Sequence, residues 1–160
     1  MYEVRCHFFF MKYFQIHNKD ELELLKGKSA QYKGLIFSFS EQYLKTLENL
    51  LDEKNAFQMF SKDDDGAFAG YIASAEKKER PNFLWIVELF IDPNYQGRGI
   101  GSSLLERTIQ EAKKKNLDGL ITQTEFENIP AQNLYKKVGF TEIDNPHWKE
   151  GITYQLKFLT

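Results

Sequence analysis

Three glycines occupy alternate positions in the stretch YQGRGIGSSLL, immediately before a helical pattern begins. A glycine in a helix costs about 1 kcal/mol relative to alanine, so a cluster at a helix start requires a reason. The N-terminus of a helix presents unpaired N–H groups and a partial positive charge, and glycines let an anion approach the backbone. Residues Gly97 to Ser102 therefore predict a turn that binds a phosphate or a diphosphate, and Arg98 adds a charged contact.

Two common phosphate-binding motifs do not fit this turn. A P-loop requires Lys followed by Ser or Thr after its last glycine, whereas here Ile100 and Ser102 flank Gly101. A dinucleotide fingerprint has the spacing G-x-G-x-x-G directly after a strand. Here the spacing is G-x-G-x-G, and DPNYQ separates it from Ile91. From the glycines alone, the remaining alternative is a tight turn that only permits close helix packing.

The first third of the chain predicts one strand and two helices. The segment KYFQIH (Lys12–His17) alternates between apolar and polar residues, as a strand does. Asn18 followed by Glu21 has the spacing of a capping box, which predicts a helix through about Tyr32. The segment KGLIFSFS predicts a loop, and Ser40 then caps a second helix, EQYLKTLENLLDE.

The remaining two thirds alternate between strands and helices. AFQMFS and GAFAGYIASAE predict strands joined by the turn KDDDG, and the apolar run Asn82–Ile91 predicts a strand buried on both faces. A helix is expected from about Ile100 to Lys115, and a shorter one from Pro130 to just before Gly139. GLITQTEF, FTEI and ITYQLKF predict three more strands. The order β-α-α-β-β-β-α-β-α-β-β predicts an α/β domain with one mixed sheet.

Two stretches of the sequence resemble motifs of the GNAT acetyltransferase superfamily. LFIDPNYQGRGIGSSLL resembles motif A, Gln/Arg-x-x-Gly-x-Gly/Ala, with Gln96, Gly99 and Gly101 in place. NIPAQNLYKKVGF resembles motif B, in which an Asn precedes a helix that carries a Leu-Tyr pair and ends at Gly-Phe. The matching residues are Asn128, Leu134, Tyr135, Gly139 and Phe140. The resemblance implies a GNAT-like α/β fold, with a mixed, mostly antiparallel central sheet that is splayed at the acetyl-CoA site and flanked by about four helices.

The same resemblance implies that acetyl-CoA is the acetyl donor. Gln96 to Ser102 would hold the pyrophosphate, and the backbone of Leu89 to Ile91 would pair with the pantetheine arm like an added strand. Asn128 would contact pantetheine or, alternatively, shape the entry to the helix. The implied coenzyme-binding residues are Leu89, Phe90, Ile91, Gln96, Gly97, Arg98, Gly99, Ile100, Gly101, Ser102, Asn128 and Tyr135.

Acetyl transfer to an amine requires a base for the amine and an acid for the departing thiolate. Tyr135 matches the family tyrosine that serves as the acid, although its hydroxyl could instead only bind the sulfur or pack. Glu88 is an ionisable residue in an apolar strand, which makes it the first candidate base; the alternative is an internal salt bridge. Glu125 is the second candidate, and Glu127 could face the same cleft. A family position that often holds a catalytic Glu is Gln123 here, which gives Glu88 more weight.

These residues predict an N-acetyltransferase whose acceptor is a primary amine on a small molecule, a peptide or a protein. A cleft lined by Glu88, Glu125 and Glu127 would attract a cation, so we expect a cationic amine. The acceptor should enter opposite the coenzyme, between KGLIFSFS and Asp144–Gly151. Two alternatives remain open: a non-catalytic acyl-CoA-binding regulatory module, and another nucleotide-binding domain, which the glycine spacing disfavours.

Composition limits the partners of the chain. Lys and Arg number 21 against 23 Asp and Glu, so a net charge of −2 gives no electrostatic case for nucleic-acid binding. No apolar run approaches the roughly 18–20 residues of a membrane span. The single cysteine, Cys6, cannot form an internal disulfide, which fits a cytoplasmic location. Cys6, His7 and His17 lack metal-ligand spacing, so we predict no metal, and His147 is interpreted as a solvated loop residue.

The length of the chain suits one domain. We therefore predict a single N-acetyltransferase domain over residues 1–160, with residues 1–10 as an N-terminal extension. Met1 and Met11 are both open as the native start. The sequence is compatible with a monomer or a homodimer.

Overall fold

The computed structural model describes residues 10–32 and 35–159. Its strands are β1 (Lys12–Ile16), β2 (Ser29–Tyr32), β3 (Leu35–Ser38), β4 (Phe57–Lys62), β5 (Phe68–Lys77), β6 (Arg80–Ile91), β7 (Gly119–Glu125), β8 (Thr141–Ile143) and β9 (Gly151–Lys157). Its α-helices are α1 (Lys19–Leu22), α2 (Glu41–Leu51), α3 (Ile100–Lys114) and α4 (Ile129–Val138). Single 3-10 turns cover Glu23–Leu25 and Pro93–Tyr95.

Seven of these strands form one sheet in the order β1-β4-β5-β6-β7-β9-β8. Neighbouring strands run antiparallel except β6 and β7, which are parallel. The predicted mixed, mostly antiparallel sheet with about four helices is confirmed. Strands β2 and β3 form a separate antiparallel hairpin. None of the helices in the described part of the chain is long and apolar enough to cross a bilayer.

The two faces of the sheet carry separate hydrophobic cores. On one face, which we call the α3 face, α3 and α4 pack through residues such as Leu104 and Tyr135 against Leu84 and Ile86 of β6. On the opposite face, which we call the α2 face, α1 and α2 pack against Tyr71 and other residues of β4, β5 and β6. Residues of β6 contribute to both cores, so this strand lies at the centre of the molecule.

The predicted helix from Asn18 to Tyr32 is wrong beyond its first turn. The capping box is present, because the Asn18 side chain accepts from the Glu21 N–H at 3.0 Å and Glu21 accepts from the His17 N–H at 2.6 Å. The α-helix nevertheless ends at Leu22, and Gly27 turns the chain with φ of +74°. Residues 29–32 then pair with β3, which lies inside the segment KGLIFSFS that was predicted to be a loop.

The other predicted elements are present, with boundaries that shift by a few residues. Ser40 caps α2 by accepting from the Tyr43 N–H at 3.3 Å, as predicted. Strand β6 begins at Arg80 rather than Asn82. Its first three residues are exposed, its middle is buried at Phe83, Leu84 and Ile86, and residues 87–89 are only half-buried. The predicted burial on both faces therefore holds for the middle of the strand and not for its start. The predictions for residues 1–9, Lys33 and Gly34 lie outside the described residues.

Candidate active site

Strands β6 and β7 separate halfway along their length. Their pairing is limited to four residues of each strand, Phe83–Ile86 of β6 and Gly119–Thr122 of β7. Beyond that point β6 continues to Ile91, paired with β5 on its other edge, and β7 continues to Glu125, paired with β9. Among the residues that the structure describes, β6 and β7 do not pair with each other beyond Ile86 and Thr122, so their inner edges border an opening in the middle of the sheet. The predicted splaying of the sheet is confirmed.

A bulge in β6 begins where the strands separate. Ala73 of β5 is opposite Glu88 and Ser74 is opposite Ile86, so Val87 is an extra residue. The extra residue changes which side chains point to which face. Ile86 and Leu89 belong to the α3 face, whereas Val87 and Phe90 pack on the α2 face. The bulge thus places Glu88 with Phe90, on the α2 face.

A cavity of about 1270 Å³ occupies the opening between the two strands. Its walls come from the second half of β6, the turn and first residues of α3, the end of β7, and α4. The candidate site residues that line it are Glu88, Leu89, Phe90, Ile91, Gln96, Gly97, Gly99, Ile100, Gly101, Ser102, Gln123, Glu125, Glu127, Asn128 and Tyr135. With the exception of Arg98, the predicted site residues are brought together around one cavity.

The turn before α3 exposes backbone N–H groups to this cavity. Gly97 and Gly99 have φ of +76° and +78°, a conformation that other residues adopt only with strain. Gly99 is the N-cap of α3 and has no side chain with which to cap it. The Ser103 N–H already donates to the Gly99 carbonyl, so the donors at Ile100, Gly101 and Ser102 precede the first helical hydrogen bond. This arrangement can bind an anion.

Gly101 is a glycine for a different reason from the other two. A Cβ atom placed on Gly97 or Gly99 would meet nothing within 4 Å, so the backbone conformation alone selects glycine there. A Cβ on Gly101 would lie 3.0 Å from Cδ2 of Leu134. Gly101 therefore permits α3 to pack closely on α4, whereas the space beside Gly97 and Gly99 is open, and their predicted role in binding phosphate stays a prediction.

Arg98 does not line the cavity. Its guanidinium lies 5.2 Å from the centre of the Tyr95 ring. The Tyr95 hydroxyl in turn donates to Asp63, in the turn between β4 and β5. This hydrogen bond raises the pKa of Tyr95 to about 12 and holds the pKa of Asp63 below its usual range. The Asp63 contact fixes the 3-10 turn, and Arg98 stacks on Tyr95. The charged contact of Arg98 with a phosphate stays a prediction.

Glu88 lies in a partly buried polar cluster. Burial raises the pKa of Glu88 above its ordinary value, and the neighbouring Tyr43 hydroxyl of α2 offsets part of this rise. The nearby Tyr71 hydroxyl donates to Oε1 of Gln58 at 2.5 Å, and Nε2 of Gln58 donates to the Leu47 carbonyl at 2.8 Å. A carboxylate with a raised pKa that borders a cavity can accept a proton near neutral pH.

Tyr135 reaches the cavity from α4, on the opposite face of the sheet. Its ring is buried between Phe140 and Tyr154, with ring centres 5.5 Å and 5.7 Å away. The Asn128 side chain accepts from the Ala131 N–H at 3.3 Å and so caps α4. Asn128 thus shapes the helix entry, one of its two predicted roles, and it also lines the cavity, so the other role remains open.

The residues at the site that were not predicted from the sequence as site residues include Tyr43, Tyr95, Lys137 and Trp148. Lys137 and Trp148 line the cavity together with Tyr95, and Tyr43 touches Glu88. Lys137 follows Leu134 by three residues on α4, a spacing from which its position could have been inferred. The sequence carries no comparable signal for Tyr43, because its contact with Glu88 depends on how α2 docks on the sheet.

Comparison with known proteins agrees with this geometry. Residues 22–140 match the acetyltransferase (GNAT) family. The chain is 31% identical over 99 residues to an uncharacterised N-acetyltransferase of Methanocaldococcus jannaschii, covering 52% of this chain and 42% of the relative. It is 30% identical over 107 residues to an N-alpha-acetyltransferase of Sulfurisphaera tokodaii, covering 61% and 63%. The chain thus spans about half the length of the curated relatives it matches.

The fold is also found among solved structures. PaiA N-acetyltransferase from Thermoplasma acidophilum, in complex with coenzyme A, superposes with a TM-score of 0.70 at 18% identity. The match covers 93% of this chain and 99% of that one. The family match extends over most of the chain and includes the splayed strands, the glycine turn and α4. The chain therefore belongs to the GNAT acetyltransferase family.

Proposed function

We propose that the chain transfers the acetyl group of acetyl-CoA to a cationic amine. The observation that carries this proposal is the juxtaposition, around one cavity, of an open strand edge, the N-terminus of α3, Glu88 and Tyr135. The amide groups of the pantetheine arm match the edge of β6 that does not pair with β7, and the diphosphate matches the donors at Ile100–Ser102.

The opening in the sheet supports a mechanism with the base and the acid on opposite faces. An acceptor that arrives as an ammonium ion first gives a proton to Glu88 on the α2 face, directly or through water, and Glu88 passes that proton to solvent. The free amine nitrogen then attacks the thioester carbonyl carbon, and the nitrogen loses its second proton by the same route. When the tetrahedral intermediate collapses, the C–S bond breaks and the thiolate takes a proton from Tyr135 on the α3 face. The products are an amide and coenzyme A, and proton exchange with solvent restores both residues. Glu125, at the end of β7, is the second candidate for the base.

The acceptor follows from the charge of the cavity wall. Glu88, Glu125 and Glu127 all line the cavity, which favours an acceptor that arrives as an ammonium ion. The Sulfurisphaera tokodaii relative is named as an N-alpha-acetyltransferase, which adds peptide α-amines to the amines worth testing. We infer a cationic amine on a small molecule or a peptide rather than a hydroxyl or an acidic amino acid.

An assay of thiol release from acetyl-CoA with a panel of acceptors tests this function. We expect turnover with polyamines, lysine-like amines or peptides with a free N-terminus, and none with the N-acetylated forms of the same compounds. Binding of coenzyme A without thiol release for any acceptor would instead favour the non-catalytic acyl-CoA-binding module.

The glycine turn can be tested with a matched pair of variants. Gly27 and Gly99 have φ of +74° and +78°, and a Cβ added to either would meet open space, but only Gly99 lines the cavity. Gly27→Ala and Gly99→Ala should each lower the free energy of unfolding by about 1–2 kcal/mol. Only Gly99→Ala should also weaken coenzyme A binding, about tenfold or more in a calorimetric titration. Equal affinities for the two folded variants would remove the turn from the binding site.

The role of Tyr135 can be separated from its packing. Tyr135→Phe keeps the ring and should lower turnover about 10–10³-fold, with little change in acetyl-CoA affinity. Tyr154→Phe is the control, because the Tyr154 hydroxyl is buried and has no hydrogen-bond partner among residues 10–32 and 35–159. That variant should retain turnover within about twofold. Normal turnover in Tyr135→Phe would limit its hydroxyl to a structural role.

The pH dependence of the rate tests Glu88. A base must be deprotonated, so kcat/KM of the wild type should fall as the pH drops through the raised pKa of Glu88. Glu88→Gln should lower the rate about 10²-fold near neutral pH, and less at high pH, where free amine is abundant. Tyr43→Phe should move the acidic limb to higher pH, because the neighbouring Tyr43 hydroxyl lowers the pKa of Glu88. A Glu88→Gln profile parallel to that of the wild type would transfer the role to Glu125.

A further inference from the structure

The turn that connects β6 to α3 contacts the rest of the molecule mainly through one side chain. Of the described residues 93–99, Tyr95 alone is partly buried, and it packs against the core of the α3 face. The hydrogen bonds at the start of the turn are local. The Tyr95 N–H donates to the Asp92 carbonyl at 2.9 Å, and the Asn94 N–H donates to the Asp92 carboxylate at 2.8 Å. The position of this turn on the sheet therefore depends on Tyr95.

Asp63 holds the hydroxyl of Tyr95 from a position 32 residues earlier in the chain. It lies in the turn between β4 and β5, is only 5% exposed, and accepts a hydrogen bond from the Tyr95 hydroxyl. Its other carboxylate oxygen accepts from the Ala67 N–H at 2.9 Å, and its own N–H donates to the Ala67 carbonyl at 3.0 Å. Because its own turn fixes the carboxylate, Asp63 can fix the Tyr95 hydroxyl in turn.

Tyr95 connects this hydrogen bond to the cavity. Tyr95 lines the cavity together with Gln96, Gly97 and Gly99, which follow it directly in the chain. The N–H donors at Ile100–Ser102 come next. A diphosphate requires several donors that point at it together, and a turn that is free to move would have to be ordered when the ligand binds. A fixed Tyr95 removes that cost.

We propose that Asp63 is a positioning residue for the acetyl donor, because through the Tyr95 hydroxyl it holds the glycine turn in the conformation that binds the diphosphate. This inference rests on the proposed donor. Asp63 is not among the residues that line the cavity, so it acts on the affinity for the donor and not on the chemical step. The turn between β4 and β5 thereby becomes part of the donor site.

Substitutions at the two ends of the hydrogen bond test this role. Tyr95→Phe keeps the ring and should raise the KM for acetyl-CoA and the dissociation constant of coenzyme A about three- to tenfold. At saturating acetyl-CoA, kcat and the KM for the amine should stay within about twofold of the wild type. Asp63→Ala should have the same effect as Tyr95→Phe. Asp63→Asn should bind coenzyme A within about twofold of the wild type, because an asparagine can accept from the Ala67 N–H and donate to the Tyr95 oxygen.

The same turn supplies the matched control. Asp65 is exposed, so Asp65→Ala removes one carboxylate without touching the hydrogen bond and should bind coenzyme A as the wild type does. The double variant Asp63→Ala/Tyr95→Phe should lose no more affinity than either single variant, because both remove the same interaction. Without ligand, backbone amides of residues 94–99 should exchange faster in Tyr95→Phe than in the wild type, and those of Phe83–Ile86 should not.

A contact that serves stability alone would give a different result. Tyr95→Phe and Asp63→Ala would then lower the free energy of unfolding, while the folded variants kept the wild-type KM for acetyl-CoA, and that outcome would overturn the inference. Additive losses of affinity in the double variant, or an equal loss in Asp65→Ala, would overturn it as well. Failure of the wild type to bind coenzyme A at all would instead refute the proposed function.

Discussion

The separation of β6 from β7 is the constraint on which the rest of the molecule depends. Two parallel strands that pair over four residues and then part leave backbone groups without strand partners in the middle of the sheet. Such groups are costly unless water or a ligand satisfies them. The sheet tolerates the opening because β5 and β9 hold the outer edges of the two strands along their full length. The cavity thus forms because β5–β6 and β7–β9 pairing continues where β6–β7 pairing ends.

The bulge at Val87 places the candidate site residues around this opening on different faces of the sheet. Without the extra residue, Glu88 would point with Ile86 toward α3 and into the larger core. With it, Glu88 meets Tyr43 on the α2 face, while the glycine turn and Tyr135 remain on the α3 face. A donor and an acceptor can therefore approach the same opening from opposite sides. The partial burial that raises the pKa of Glu88 follows from the same change of face.

Short sequence patterns predicted the helices and strands correctly wherever long-range contacts favour the same local structure. The helix caps, the apolar run of β6 and the glycine turn all identified their elements, and the order of strands and helices followed. The helix after Asn18 failed because Gly27 and pairing with β3 override a good cap, and neither effect is visible in a helical pattern. At the site, an ionisable residue in an apolar strand predicted Glu88, and the motif resemblance predicted Tyr135; both line the cavity. The stacking of Arg98 on Tyr95 could not be predicted, because it depends on Tyr95 and Asp63, residues brought together only by folding.

Hydrogen exchange of the β6 backbone with and without coenzyme A tests the central claim most directly, because the two halves of one strand serve as each other's control. The amides of Phe83–Ile86 lie in the half that pairs with β7, and those of Val87–Ile91 lie in the half that does not. If the open edge binds the pantetheine arm, saturating coenzyme A should slow exchange within Val87–Ile91 and at Ile100–Ser102, and leave Phe83–Ile86 unchanged. Unchanged exchange in Val87–Ile91 while coenzyme A is bound would contradict the account.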